Sequence, residues 1–269
     1  MSKRRRLPVI LIHLAFFLLL AALAAQAEIP PGEALEELRY KVDVSIMTDA
    51  IRGKVILKRL DGEKLYGAVI GETQGLLAKV SGGWKGTFST EMIMRNGKLH
   101  PLIYREESSR STKRNFKEYR FDYQKNTIEL WQYKEGKLVK KWETTFTEPP
   151  TDGISLYFNQ RLGYINLNKG GETIKVMGIP YPKPEDIIVR VGPAIPEGRK
   201  VWVSLTNKAF EENKNQIQGL IDPDGVPTQA ESRILKFGKV IGTIMPDSKR
   251  LSDKQVGLKS EGKDAAVAK

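Results

Sequence analysis

A chain with no cysteine and two histidines has few groups for covalent chemistry. His13 lies in an apolar N-terminal run, so a Ser-His-Asp triad would have to use His100, which stands just before Pro101. No G-x-S-x-G stretch supplies a nucleophile elbow, and His100 reads as a strand residue beside a turn. Without thiolates or clustered histidines, a zinc site has no ligand set. Neither a P-loop nor G-x-G-x-x-G is present. Ser260 and Lys263 have the spacing of a serine-lysine pair but fall in a lysine-rich C-terminal stretch that cannot hold a nucleophile's geometry. Asp222-Pro-Asp-Gly225 hints at a calcium loop. Val226 then takes a ligand position, so a turn is the better reading. Glu106-Glu107 and Glu211-Glu212 are adjacent pairs, which a strand sends to opposite faces. The expectation is a protein that is not an enzyme and needs no metal or cofactor.

Two stretches could bind rather than react. Trp131, Tyr133 and Trp142 interleave with Lys140 and Lys141, following Tyr119, Phe121 and Tyr123 with Lys117 and Arg120. Ring faces beside cations could hold a sugar polymer or an anionic headgroup. The same residues could equally pack a sheet and solvate its other side. The second stretch is TEPPTDGISLYFNQRLG, residues 147–163. Pro149 and Pro150 end a strand, Asp152 is a good N-cap, and Gly163 a good stop. Ile154, Leu156, Tyr157, Phe158 and Leu162 fall largely on one stripe of the helix between.

The elements around these stretches are mostly strands. Leu38, Tyr40, Val42, Val44 and Ile46 alternate with polar residues, the period of a strand with one wet face. Asp61-Gly62 and Asn96-Gly97 lie between apolar runs and predict tight hairpins. Further turns are expected near Lys125-Asn126 and Glu135-Gly136, and a polar loop over 207–227. Strand, tight turn and strand at short spacing imply an antiparallel meander. Nine to eleven strands and one short helix suit a mainly β fold: a long curved antiparallel sheet forming a half-barrel or barrel, with a β-sandwich as the alternative.

The N-terminus has the three-part layout of a secretory signal: MSKRRR, an apolar run, and Ala25-Gln26-Ala27. Cleavage after Ala27 and a periplasmic location are expected. Residues 28–246 then form one β-rich domain and 247–269 a disordered basic tail. Lys3, Arg4, Arg5 and Arg6 supply four of the net +12 and the leader has no acid, which leaves +8 downstream. That charge suits lipid headgroups or acidic glycans. No helix or loop concentrates it as a nucleic-acid reader would.

ALEELRYKVDVSIM, GLLAKVSGGWKGTFSTEMIMRNGKLHPLIYREES, EYRFDYQKNTIEL, TDGISLYFNQRL, KVWVSLTNKA and ILKFGKVIGTI occur in this order. Together they resemble the bacterial exported family called domain of unknown function 3108, over residues 33–245. The chain departs from that pattern between Thr206 and Val226 and around Tyr181. The resemblance implies no reaction and no catalytic residues. At fold level it is similar to half-barrel carriers that escort lipoproteins across the periplasm.

The expected function is a non-enzymatic periplasmic envelope protein holding an apolar or amphiphilic ligand in a curved-sheet cavity. Leu156, Tyr157 and Phe158 would line that cavity beside Trp84 and Trp202, with the helix as plug or lid. The alternative is an envelope assembly factor whose surface is built on Trp131, Tyr133, Lys140, Lys141 and Trp142. Partners would be a lipid, a lipoprotein or an anionic glycan, with no nucleic acid, and membrane contact only through the transient signal peptide.

Overall fold

The computed structural model describes residues 29–251 except 62, 112, 135, 166, 168, 180–183, 206–215 and 235–237. The expected signal segment and residues 252–269 lie outside the described residues. All fourteen strands belong to one antiparallel sheet, so the sandwich alternative does not hold. In chain order they are β1 (Glu33–Val44), β2 (Met47–Arg59), β3 (Lys64–Thr73), β4 (Lys85–Arg95), β5 (Lys98–Arg110), β6 (Lys113–Asp122), β7 (Thr127–Lys134) and β8 (Lys137–Thr145). The rest are β9 (Thr173–Gly178), β10 (Glu185–Ile195), β11 (Gly198–Leu205), β12 (Gln216–Ile221), β13 (Pro227–Ile234) and β14 (Gly238–Ile244). Helix α1 (Gly75–Ser81) joins β3 to β4, and α2 (Gly153–Arg161) joins β8 to β9.

The sheet order runs β8 to β1, then β14 to β9, so β14 pairs with β1 and the sheet is open only between β8 and β9. The Asn96-Gly97 hairpin has the expected chemistry, whereas the turns expected at Asp61-Gly62 and Glu135-Gly136 each include a residue outside the described ones. Asn96 and Gly97 take φ of 50° and 69°, the left-handed pair that a two-residue turn needs.

The sheet is rolled, and α2 proves it. Thr151 forms a bridge with Gly178 of β9, while the next residue, Asp152, accepts from the Thr90 hydroxyl of β4 at 3.0 Å. β4 and β9 stand nine places apart in the sheet. At about 4.8 Å per strand, a flat sheet would separate them by roughly 43 Å. Gly53, Gly71 and Gly86 form one row across β2–β4. A row without side chains lets a sheet bend tightly.

We call the face that carries α2 inner. Leu38, Val55, Val69, Met92, Tyr104, Tyr119 and Leu130 pack there with Ile154, Tyr157, Phe158 and Leu162 of the helix in the main core. Gly67 is required at its place, because a Cβ there would stand 2.7 Å from Ile154 and 2.8 Å from Phe158.

Four expectations need correction. Ile46 is 94% exposed at the β1–β2 turn instead of continuing the strand, because Ser45 turns the chain with φ of 54°. The sequence predicts one short helix, but GLLAKVS forms a second one, α1, closed by left-handed Gly82 and Gly83. The expected loop over 207–227 contains β12, whose Gln216–Ile221 pairs with both β11 and β13. Residues 247–251 are not tail. Lys249 exchanges backbone hydrogen bonds of 2.8 and 2.7 Å with Glu37, and Leu251 is buried in the main core.

Candidate functional site

The inner face is filled by α2. Asp152 caps it, accepting from the Ile154 and Ser155 N–H groups at 2.8 and 3.0 Å and from the Ser155 hydroxyl at 2.6 Å. Burial pushes this carboxyl up from its ordinary range, and the hydrogen bonds from Ser155, Thr90 and Ile154 oppose that push. Asn159 binds Leu99 of β5 as a strand would: its amide donates to the Leu99 carbonyl at 2.8 Å and its oxygen accepts the Leu99 N–H at 2.7 Å. Arg161 donates to Glu36 of β1 at 3.1 and 3.0 Å and to the Asp224 carbonyl in the β12–β13 turn at 2.5 Å. The Leu251 N–H reaches the same Glu36 oxygen at 3.0 Å. These bonds tie the helix to both arms of the sheet, so it is a plug rather than a lid.

The expected pocket residues do not all converge. Tyr157 and Phe158 are core, their ring centroids 4.8 Å apart, and Trp84 packs against the same core. Leu156 belongs to a second cluster with Val42, Val44 and Ile187. Trp202 faces the other way, since its strand neighbours Val201 and Val203 pack inward. Its ring lies over Gly192, where a Cβ would approach it to 2.8 Å.

The expected surface group divides at a bulge. Leu130 faces Trp142 and Trp131 faces Lys140, which leaves Lys141 as the extra residue. Trp131 and Lys140 therefore share the outer face, whereas Trp142 turns inward to meet Tyr119 at 6.2 Å. Tyr133 is exposed beside Phe116, centroids 5.0 Å apart. The outer pair is already engaged. Trp131 lies 4.5 Å under the Arg120 guanidinium and donates its indole N–H to Glu129 at 2.8 Å. Lys140 reaches Glu129 and Glu143 at 3.0 and 2.7 Å.

Further along this outer face, across β1–β6, lies an open groove with a volume of about 1030 Å³. Strand register builds it in rows. Arg52, Glu72, Lys85, Ser109 and Arg114 are successive partners from β2 to β6. The next row is Arg39, Lys54, Ile70 and Thr87, and the one after is Glu37, Ile56 and Ala68. Ile56 and Ile70 belong to a small apolar cluster with Tyr66 and Ala68, which gives the groove a greasy floor. Met245 and Asp247, just past the end of β14, complete the wall.

Six basic side chains line the groove: Arg39, Arg52, Lys54, Lys58, Lys85 and Arg114. Three acids oppose them, Glu37, Glu72 and Asp247, once Glu36 is assigned to Arg161. Arg39 pairs with Glu37 and Asp247 at 2.7 and 2.8 Å, Arg52 pairs with Asp49, and Lys85 stands 3.6 Å from Glu72. Burial alone would raise the Glu37 carboxyl, but Arg39 and Lys54 overrule it and hold it below its usual range. Lys58 and Arg114 have no carboxylate partner among the described residues. None of these cations was singled out from sequence. The alternation within each strand shows them to be outward, but only register lines them up.

No protein-family model matches the chain, and no curated protein does. A solved structure that resembles it is a β-barrel-like protein of domain of unknown function DUF1849 from Brucella abortus. The TM-score is 0.47 and the identity 8%, over 83% of this chain and 100% of that one.

Proposed function

We propose that this chain is a non-enzymatic, exported envelope protein that binds an anionic amphiphile in the outer groove, not within the rolled sheet. The observation that carries this reading is the groove itself: six basic side chains around a floor of Ile56 and Ile70, against three acids. Cations supply attraction to a charged head, and the apolar floor accepts a chain. Ser155 of α2 and its N-cap Asp152, which could take part in a reaction, are buried and hydrogen-bonded to each other. The sequence's leader and its resemblance to domain of unknown function 3108 support export.

The test uses single-chain lipids below their micelle threshold. Lysophosphatidylglycerol should bind and lysophosphatidylcholine should not, with affinity falling as salt rises. Replacing Lys85→Glu and Arg114→Glu together should weaken the anionic lipid at least about tenfold, since each reversal removes an attraction and adds a repulsion. Equal binding of the two lipids, or no change in the double variant, would overturn the reading.

A further inference from the structure

Five large apolar side chains are strongly exposed among the described residues: Ile29, Ile46, Leu76, Val80 and Tyr133. Three of them, Ile46, Leu76 and Val80, gather at one end of the sheet and are 94%, 64% and 72% exposed. Ile46 forms the tip of the β1–β2 turn. Helix α1 lies beside the start of β2, where the Gln74 N–H donates to the Ala50 carbonyl at 2.8 Å. Leu77 points inward to a cluster that contains Val44 and Ala50. Leu76 and Val80 are four residues apart and share the helix face that this packing leaves in water.

The charges at this end leave a positive excess: Lys41, Lys79, Arg52, Lys85 and Arg114 stand against Asp43, Asp49 and Glu72, with Asp49 paired to Arg52 and Glu72 near Lys85. Lys79 is the only charged residue of α1. Lys41, close to the same turn, is exposed, and neither lysine pairs with a carboxylate among the described residues. The basic row Arg52, Lys85 and Arg114 opens at this end too, because Glu72 of that row is three residues before α1 and Lys85 four residues after it. An apolar tip thus adjoins a cationic surface that continues into the groove.

We infer that this end docks on an anionic lipid bilayer. Ile46, Leu76 and Val80 enter the headgroup boundary, and Lys41, Lys79 and the Arg52–Lys85–Arg114 row face the lipid phosphates. Short apolar insertions combined with basic side chains are the two signals that make surface binding to a membrane stable yet reversible. The inference extends the groove reading by naming where an amphiphile would be taken up. It rests on that reading for this use alone.

The experiment uses the chain from Glu28 onward, because the fourteen-strand sheet lies wholly within it and the apolar leader would itself enter vesicles. Co-sedimentation with phosphatidylcholine vesicles should be weak, and adding about a quarter phosphatidylglycerol should produce salt-sensitive binding. The variant Ile46→Ser, Leu76→Ser, Val80→Ser should lose at least about tenfold in partitioning. It should still melt as the parent does and still bind monomeric lysophosphatidylglycerol. The chain has no cysteine, so Val80→Cys can carry an environment-sensitive dye, whose emission should shift to the blue on anionic vesicles. A parent chain that ignores these vesicles, a triple-serine variant that binds like the parent, or an unshifted dye overturns the docking. Loss of lysophosphatidylglycerol binding with docking intact instead overturns the groove reading.

Discussion

The two faces of this sheet solve opposite problems with similar residue types. On the inner face, charged and amide side chains are buried and each has a defined partner: Asp152 with Thr90 and Ser155, Asn159 with Leu99, and Arg161 with Glu36 and Asp224. On the outer face, Arg39, Arg52 and Lys85 are about half exposed, and the carboxylates beside them leave the groove with excess positive charge. A buried charge must be matched or it destabilises the fold, whereas an exposed one contributes little to stability and remains available to a ligand. Burial, rather than residue type, therefore separates scaffold from site.

The largest expected effect tests the inner face. Glu36→Leu leaves Arg161 without its carboxylate and should cost about 3–5 kcal/mol in urea unfolding; adding Arg161→Met should restore most of that loss. If the double variant is no more stable than the single, the pair does more than neutralise itself. Next is Asn159→Ala, which strands the Leu99 N–H and carbonyl and should cost about 1–3 kcal/mol for each group left unpaired. A loss under about 0.5 kcal/mol would mean that water replaces the amide and that the plug is looser than its bonds imply. By contrast, Lys85→Glu with Arg114→Glu should move stability by no more than about 0.5 kcal/mol while weakening lipid binding. A large melting change there would erase the distinction between the faces.

The smallest effect concerns pH. His100 packs edge-on to Tyr123 at 5.6 Å. Burial, followed by the nearby charges of Arg95 and Lys98, lowers its pKa below the ordinary histidine value. The native state then holds fewer protons than the unfolded chain, so stability falls as pH drops from about 6.5 through the folded value. His100→Gln should flatten that part of the urea-midpoint profile. An unchanged slope would assign the acid sensitivity elsewhere.

Much of the scaffold is legible in the sequence because its signals are local. Asn96-Gly97 announces a hairpin by its tolerance for positive φ, the alternation from Leu38 to Val44 announces β1, and Asp152 announces a helix start. What escapes is set by distant partners. Nothing near Ile46 says that the alternation must stop there, and GLLAKVS is as apolar as a strand. Gln216–Ile221 is a strand only because β11 and β13 flank it. The groove is the extreme case: Arg52, Lys85 and Arg114 come from three strands, and their alignment is a property of register. Trp142 shows the same limit, since one extra residue at Lys141 turns it from the outer face to the inner.

The sheet order has a further consequence for how the molecule assembles. Every ladder but one joins strands that are consecutive in the chain. The exception is β1 with β14, where Val42 meets Gly242. Closing that span costs roughly 3 kcal/mol more in chain entropy than closing a ten-residue loop. Two arms, β1–β8 and β9–β14, can therefore zip up from their own turns before either meets the other. The weld between them comes late, and the Arg161–Glu36 clasp beside it secures a seam rather than starting one.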